Sequence, residues 1–164
     1  MKEKMKEIYP GIYKIVLGEP EKGTPVSLRR TWPDEEHLNK SSDKDVQIPF
    51  EAADIIFQTN KRGCVIELPL DESEQIFGFG LQLKSFRQNG KKKTVRVNAD
   101  PIADTGDSHA PVPFYVSSKG YGVLVDTARY VSFYCGNIVT IAMDKTGGVK
   151  LERKGNYSGE KYKI

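Results

Sequence analysis

The sequence predicts an all-β protein, an antiparallel sandwich of about ten short strands. Three observations carry that prediction. Apolar runs of four to eight residues, rich in Val, Ile, Tyr and Phe, recur at intervals of about ten residues. Gly, Pro or Asn stands between most of them. No longer segment shows the 3.6-residue apolar period of an amphipathic helix. At 164 residues, with 38% apolar and 29% charged residues, the composition is that of one folded domain spanning 1–164.

In chain order, residues 1–7 alternate Lys and Glu and are expected to fray. Ile8–Leu17 reads as a strand broken by Pro10-Gly11. Pro25–Trp32 reads as a second strand, and 33–44 as a polar loop whose His37 is exposed. Ile48–Gln58 mixes Phe50, Ile55, Ile56 and Phe57 and reads as a strand, with a short helix over 50–57 as the alternative. Cys64–Leu70 and Ile76–Leu83 are further strands around the acidic turn Asp71–Glu74. In the second, Phe77-Gly78-Phe79-Gly80 places glycines where a strand is weakened unless another backbone, a ring or a ligand must come close. Thr94–Val97 alternates cleanly. PFYVSS and GYGVLVDT flank a tight corner at Lys119-Gly120. Tyr130–Tyr134, Ile138–Met143 and Val149–Arg153 complete the set, and the tail is polar.

Charge and cysteines exclude several functions. The net charge is only +3, and the one basic run, Lys91-Lys92-Lys93, follows the turn pair Asn89-Gly90 and reads as a solvated turn, so no nucleic-acid partner is expected. No apolar run reaches the roughly 20 residues of a membrane helix, so no membrane partner is expected. The charged start MKEKMKEIYPG lacks the apolar segment of a secretory signal, which leaves cytoplasm and periplasm both open. Cys64 and Cys135 sit in apolar runs, without a Cys or His at metal-ligand spacing, and read as buried free thiols.

The chemistry-bearing stretch is the polar loop from Asn98 to Ala110, with Asp100, Asp104, Asp107, Ser108 and His109 within ten positions. A rigid β-scaffold presenting such a loop is a common way to build a binding site. Carboxylates are the equipment of glycosidic acid–base chemistry, though they also simply cap turns. The calcium-loop spacing and the nucleophile elbow of serine hydrolases are both missing, so no metal or cofactor is expected. The aromatics Phe77, Phe79, Phe114, Tyr115, Tyr121 and Tyr134 are either sandwich core or a platform for a sugar ring.

The order IFGFG, a basic turn, VNAD, a polar loop, VPFYVSSKGYGVLVDT and YVSFYCG resembles the N-terminal β-sandwich of glycoside hydrolase family 31, the α-glucosidases and α-xylosidases, from about Ile76 to Gly136. The family's Tyr-Gly-Leu-Gly-Glu stands here as Phe77-Gly78-Phe79-Gly80-Leu81, with Leu81 in the glutamate's place. The resemblance implies a galactose mutarotase-like supersandwich that braces a (β/α)8 barrel carrying the catalytic aspartates. Such a barrel needs an alternating strand–helix series that these residues lack, so the chain is expected to be the N-terminal domain of a longer retaining α-glycosidase, with no catalytic residue of its own. It further implies that the loop after Asn98-Ala99-Asp100 reaches the sugar pocket. Asp100 then contacts an α-glycoside substrate, with Asp104, Asp107 and His109 as loop neighbours. A free-standing carbohydrate-binding sandwich is the alternative.

Overall fold

The computed structural model describes residues 5–19, 21–29, 31, 36, 48–60, 63–82, 85–96, 108, 110–136, 140–143, 149–152 and 162–163. The elements among them are thirteen strands and one 3-10 turn over Ala52–Asp54, with Glu36 in helical backbone. Every strand pair is antiparallel. The all-β, antiparallel class read from the sequence is therefore the one observed.

The chain divides into two compact units, Met1–Ala53 with Asp126–Arg129, and Asp54–Val125 with Tyr130–Ile164. In the first, Pro10-Gly11 does not interrupt one strand but turns it back on itself. Strands β1 (Lys6–Tyr9) and β2 (Ile12–Lys14) form a hairpin, with Gly11 at φ +73°. Lys6 and Glu7 belong to that hairpin, against the expectation of a frayed arm. The strand expected from Pro25 is instead a turn over Pro25–Leu28. Thr24 explains the difference: its hydroxyl accepts from the Ser27 amide (3.2 Å), and its carbonyl accepts from the Leu28 amide (3.0 Å) and the Ser27 hydroxyl (2.8 Å). Such local bonds compete with strand pairing. The Asp126 carboxylate secures the turn, accepting from the Thr24 hydroxyl (2.7 Å) and the Val26 amide (3.0 Å). Glu21 likewise accepts from the Thr127 hydroxyl (2.9 Å) and the Ala128 amide (3.1 Å) and pairs with Arg129 (3.1 Å).

The second unit holds the core. β3 (Ile56–Asn60) and β4 (Gly63–Glu67) form a hairpin. Cys64 is exposed, contrary to the buried thiol expected of it, because it pairs with Thr59 only one residue from the hairpin's last pair, Asn60 with Gly63. β5 (Pro69–Leu70) pairs with β13 (Tyr162–Lys163), so the polar tail does supply a strand. β6 (Ile76–Gly80), β8 (Pro111–Ser117) and β9 (Gly122–Leu124) make a three-stranded sheet in the order β6-β8-β9. β7 (Lys92–Val95) pairs with β10 (Val131–Tyr134), and β11 (Thr140–Met143) with β12 (Val149–Glu152).

Three rings join the β6-β8-β9 sheet to the β7-β10 pair. Phe79 lies 4.6 Å from Phe133 and 5.8 Å from Tyr115, and Tyr115 meets Phe133 edge-on at 6.1 Å. Ile76, Tyr121, Leu68, Leu70 and Cys135 are buried with them. Each such side chain contributes about 1.5–3 kcal/mol by leaving water. Of the aromatic residues singled out in the sequence, Phe79, Tyr115 and Tyr121 are thus core; Phe77, Phe114 and Tyr134 are not.

Candidate functional site

The four loop residues singled out in the sequence, Asp100, Asp104, Asp107 and His109, lie outside the described residues, as does His37. What is described is the frame that receives the loop. β7 leads into it. Ser108 and Ala110 end it; Ser108 is buried and its hydroxyl accepts the Ala110 amide at 3.2 Å.

That landing explains the Phe-Gly-Phe-Gly strand. Opposite β8, Gly78 pairs with Tyr115 and Gly80 with Pro111, so Phe79 alone spans a bulge. The Ala110 carbonyl accepts the Leu81 amide across this gap at 3.2 Å. A Cβ on Gly80 would stand 1.9 Å from that carbonyl oxygen, and one on Gly78 would stand 2.8 Å from the Phe114 carbonyl. Both glycines have positive φ, as does Phe79 at +66°, a conformation that costs an L-residue about 1–2 kcal/mol. The Gln82 amide donates to the Phe79 carbonyl at 2.7 Å and holds the distorted residue in place. The close backbone approach suggested by the glycines is the landing segment of the loop. Leu81, where the family has glutamate, is exposed.

Behind the frame sits a polar cluster that the sequence reading, which placed Glu74 in an acidic turn, did not single out. Glu74 is buried, and its Oε1 accepts from the Ser117 hydroxyl and, at 2.5 Å, from the Tyr121 hydroxyl. Its Oε2 accepts the Asp71 amide (3.1 Å), while the Glu74 amide donates to the Asp71 carbonyl (3.0 Å). The carboxylate thus reaches back to the amide three residues earlier while a main-chain bond closes the turn; the Asp71-x-x-Glu74 spacing was the available signal. Burial pushes the Tyr121 hydroxyl well above the ordinary tyrosine range, helped by its bond to Glu74. Burial does the same to Tyr115, beside Tyr121 and Glu74. Asn89 ties this corner to β6, accepting the Ile76 amide (2.9 Å) and donating to the Glu74 carbonyl (2.8 Å). Glu74 and Asn89 are engaged in internal bonds and act as a brace.

Burial pushes the Cys135 thiol up to about 12 despite the opposing pull of Lys93 and Lys91. Among the described residues no group of three His, Cys, Asp or Glu is placed to hold a metal.

The outward side of the β6-β8-β9 sheet is apolar. Val112, Phe114 and Val116 alternate outward along β8, Leu124 stands across from Phe114, and Phe77 across from Val116. Phe86, 80% exposed, packs its ring 4.9 Å from Phe77. Phe114 lies over Gly122, where a Cβ would come within 2.9 Å of its ring. This amounts to an exposed face on the order of a few hundred Å², the size at which apolar surface marks an interaction site.

The described residues thus form an antiparallel β-protein with a buried aromatic core and an exposed apolar sheet face. Residues 29–133 match the glycosyl hydrolase 31 N-terminal galactose mutarotase-like domain, and the chain belongs to that family. Two α-xylosidases are similar to it. The α-xylosidase XylQ of Lactiplantibacillus pentosus is 35% identical over 71 residues, covering 43% of this chain and 9% of that protein. An α-xylosidase of Emericella nidulans is 32% identical over 82 residues, covering 50% of this chain and 10% of that protein. The matched stretch is about a tenth of the length of either curated relative.

Proposed function

We infer that this chain is the N-terminal sandwich of a retaining α-glycosidase of α-xylosidase type, and that it acts by bracing a catalytic (β/α)8 barrel and lending a loop to the sugar pocket. The observation that carries the reading is the apolar outer face of β6-β8-β9. A sheet with both faces apolar needs a second layer against it, and the similar α-xylosidases are roughly ten times longer than the matched stretch. The layer is then more of the same polypeptide, the barrel included. Chemistry proceeds there by double displacement through a glycosyl-enzyme intermediate.

The loop's part is recognition. An ionised Asp100 accepts hydrogen bonds from two sugar hydroxyls, with Asp104, Asp107 and His109 beside it. Each such charged hydrogen bond is worth about 1.5–3 kcal/mol. In the full-length enzyme, Asp100→Ala therefore lowers kcat/KM on small α-xylosides by tenfold or more; unchanged kinetics remove Asp100 from the pocket. The bracing role is tested by Phe114→Lys with Val116→Lys. In the full-length enzyme the pair lowers the melting temperature and the yield of active protein, whereas in the 164-residue chain it suppresses self-association in sedimentation. A full-length enzyme indifferent to both lysines has no barrel on this face.

A further inference from the structure

We propose that the outward face of the β7-β10 ladder is a binding surface for an acidic oligosaccharide. The inference rests on membership of a carbohydrate-active family and does not depend on the bracing role. Register builds the surface. Along β7 and the residue after it, Lys92, Thr94 and Arg96 point one way; along β10 and the residue before it, Tyr134, Ser132 and Tyr130 point the same way. The opposite side carries Lys93 and Phe133, both buried. The expected solvated turn is thus a strand, and its lysines are sorted by face.

Facing residues form three rungs. Lys92 Nζ lies 5.4 Å from the Tyr134 ring centroid, and Arg96 Cζ lies 5.9 Å from that of Tyr130. Between them the Thr94 and Ser132 hydroxyls are hydrogen-bonded at 3.2 Å. Tyr130 is 81% exposed, and Lys92, Arg96 and Ser132 are exposed as well. The described ion pairs lie elsewhere, at Lys119 with Asp71 and Arg129 with Glu21. Nearby, Lys91 Nζ donates to the Arg87 carbonyl, and among the described residues no carboxylate pairs with it.

Each rung has a chemical counterpart. The guanidinium and ammonium offer charge-assisted bonds to carboxylates. The tyrosine rings offer flat apolar faces for the C–H side of a pyranose, and the two hydroxyls can exchange bonds with sugar hydroxyls. The outer rungs are four residues apart along β7, about 13 Å at strand rise, longer than a single ring. A uronic-acid oligomer supplies carboxylates and stacked rings along such a line. Nucleic acid fits less well, since six to ten neutralised phosphates are usual for its binders and this face offers two or three cations.

The test titrates the 164-residue chain with oligogalacturonate, with a neutral xylo-oligosaccharide of equal length and with single-stranded oligothymidylate, following amide resonances. Oligogalacturonate is expected to move the amides of 92–96 and 130–134, and its binding to weaken with added salt. Lys92→Gln with Arg96→Gln should weaken it about tenfold, as should Tyr130→Ala, given the worth of exposed charge and stacking contacts. All three side chains are exposed, so melting temperatures should stay at the wild-type value. Equal binding of the neutral sugar, tighter binding of oligothymidylate, shifts confined to other strands, or no shifts at all would each overturn the proposal.

Discussion

Replacing Gly80 by alanine tests whether the register shift between β6 and β8 is dictated by backbone approach. At φ +83° any L-residue bears about 1–2 kcal/mol of conformational strain. The added Cβ would also stand 1.9 Å from the Ala110 oxygen and 2.9 Å from the Val112 nitrogen. Both are main-chain atoms, so no side chain can rotate away and β6 must separate from β8. Separation forfeits the Leu81–Ala110 bond, about 1 kcal/mol, and loosens Phe79 in the core. The total is about 3–4 kcal/mol, which for a chain of this size lowers the melting temperature by about 10 °C. Gly120→Ala is the control. Gly120 has nearly the same φ, +87°, but nothing lies within 4 Å of its Cβ position. It should lose only the strain, about 4 °C. Melting curves by circular dichroism decide the matter. If the two variants melt together, the steric account of the FGFG strand is wrong.

Glu74→Gln puts an amide N–H where two hydroxyls and the Asp71 amide require acceptors; a loss of about 1–3 kcal/mol is expected in denaturant unfolding, against no change for the exposed Glu72→Gln. Under native conditions at pH 8, iodoacetamide should label Cys64 alone, and mass spectrometry should find Cys135 modified only after denaturation, because Cys135 is fully buried with its thiol pushed up to about 12. The Ala128 amide, and then the Thr127 hydroxyl, hold the Glu21 carboxyl below the ordinary glutamate range. Its contribution to stability is therefore present above the ordinary glutamate value of 4.5 and disappears as pH falls through the lower folded value. Glu21→Gln should flatten that part of the stability–pH curve, and an unaltered acid limb would contradict the assignment.

The β-class was legible because it depends on local signals. Alternating apolar residues and glycine turns lie next to one another in the chain, so Gly120 and the FGFG strand announced a corner and a close approach before any fold was known, whereas Pro10-Gly11 read as a break in one strand and is the turn of a hairpin. The local reading failed where a short-range bond won, as at Thr24, whose hydroxyl closes a turn in place of a strand. It failed too where one residue of register decides the side: Lys93 turns inward and Lys92 outward from the same basic run. The candidate loop residues stood out as a polar cluster, but only family resemblance suggested a role for them, since three aspartates in a loop carry no information about the distances between them.

By itself, then, the sequence determined the β-class, many of the strands and turns and the family to which they belong, because periodicity and turn chemistry act over a few residues. Only the tertiary structure decided that Glu74 is a buried brace, that Asp126 secures a turn 102 positions away at Thr24, and that Cys64 faces water. Those outcomes depend on partners far apart in the chain, whose meeting is fixed by the packing of Phe79, Tyr115 and Phe133 and by backbone approaches that only glycine permits.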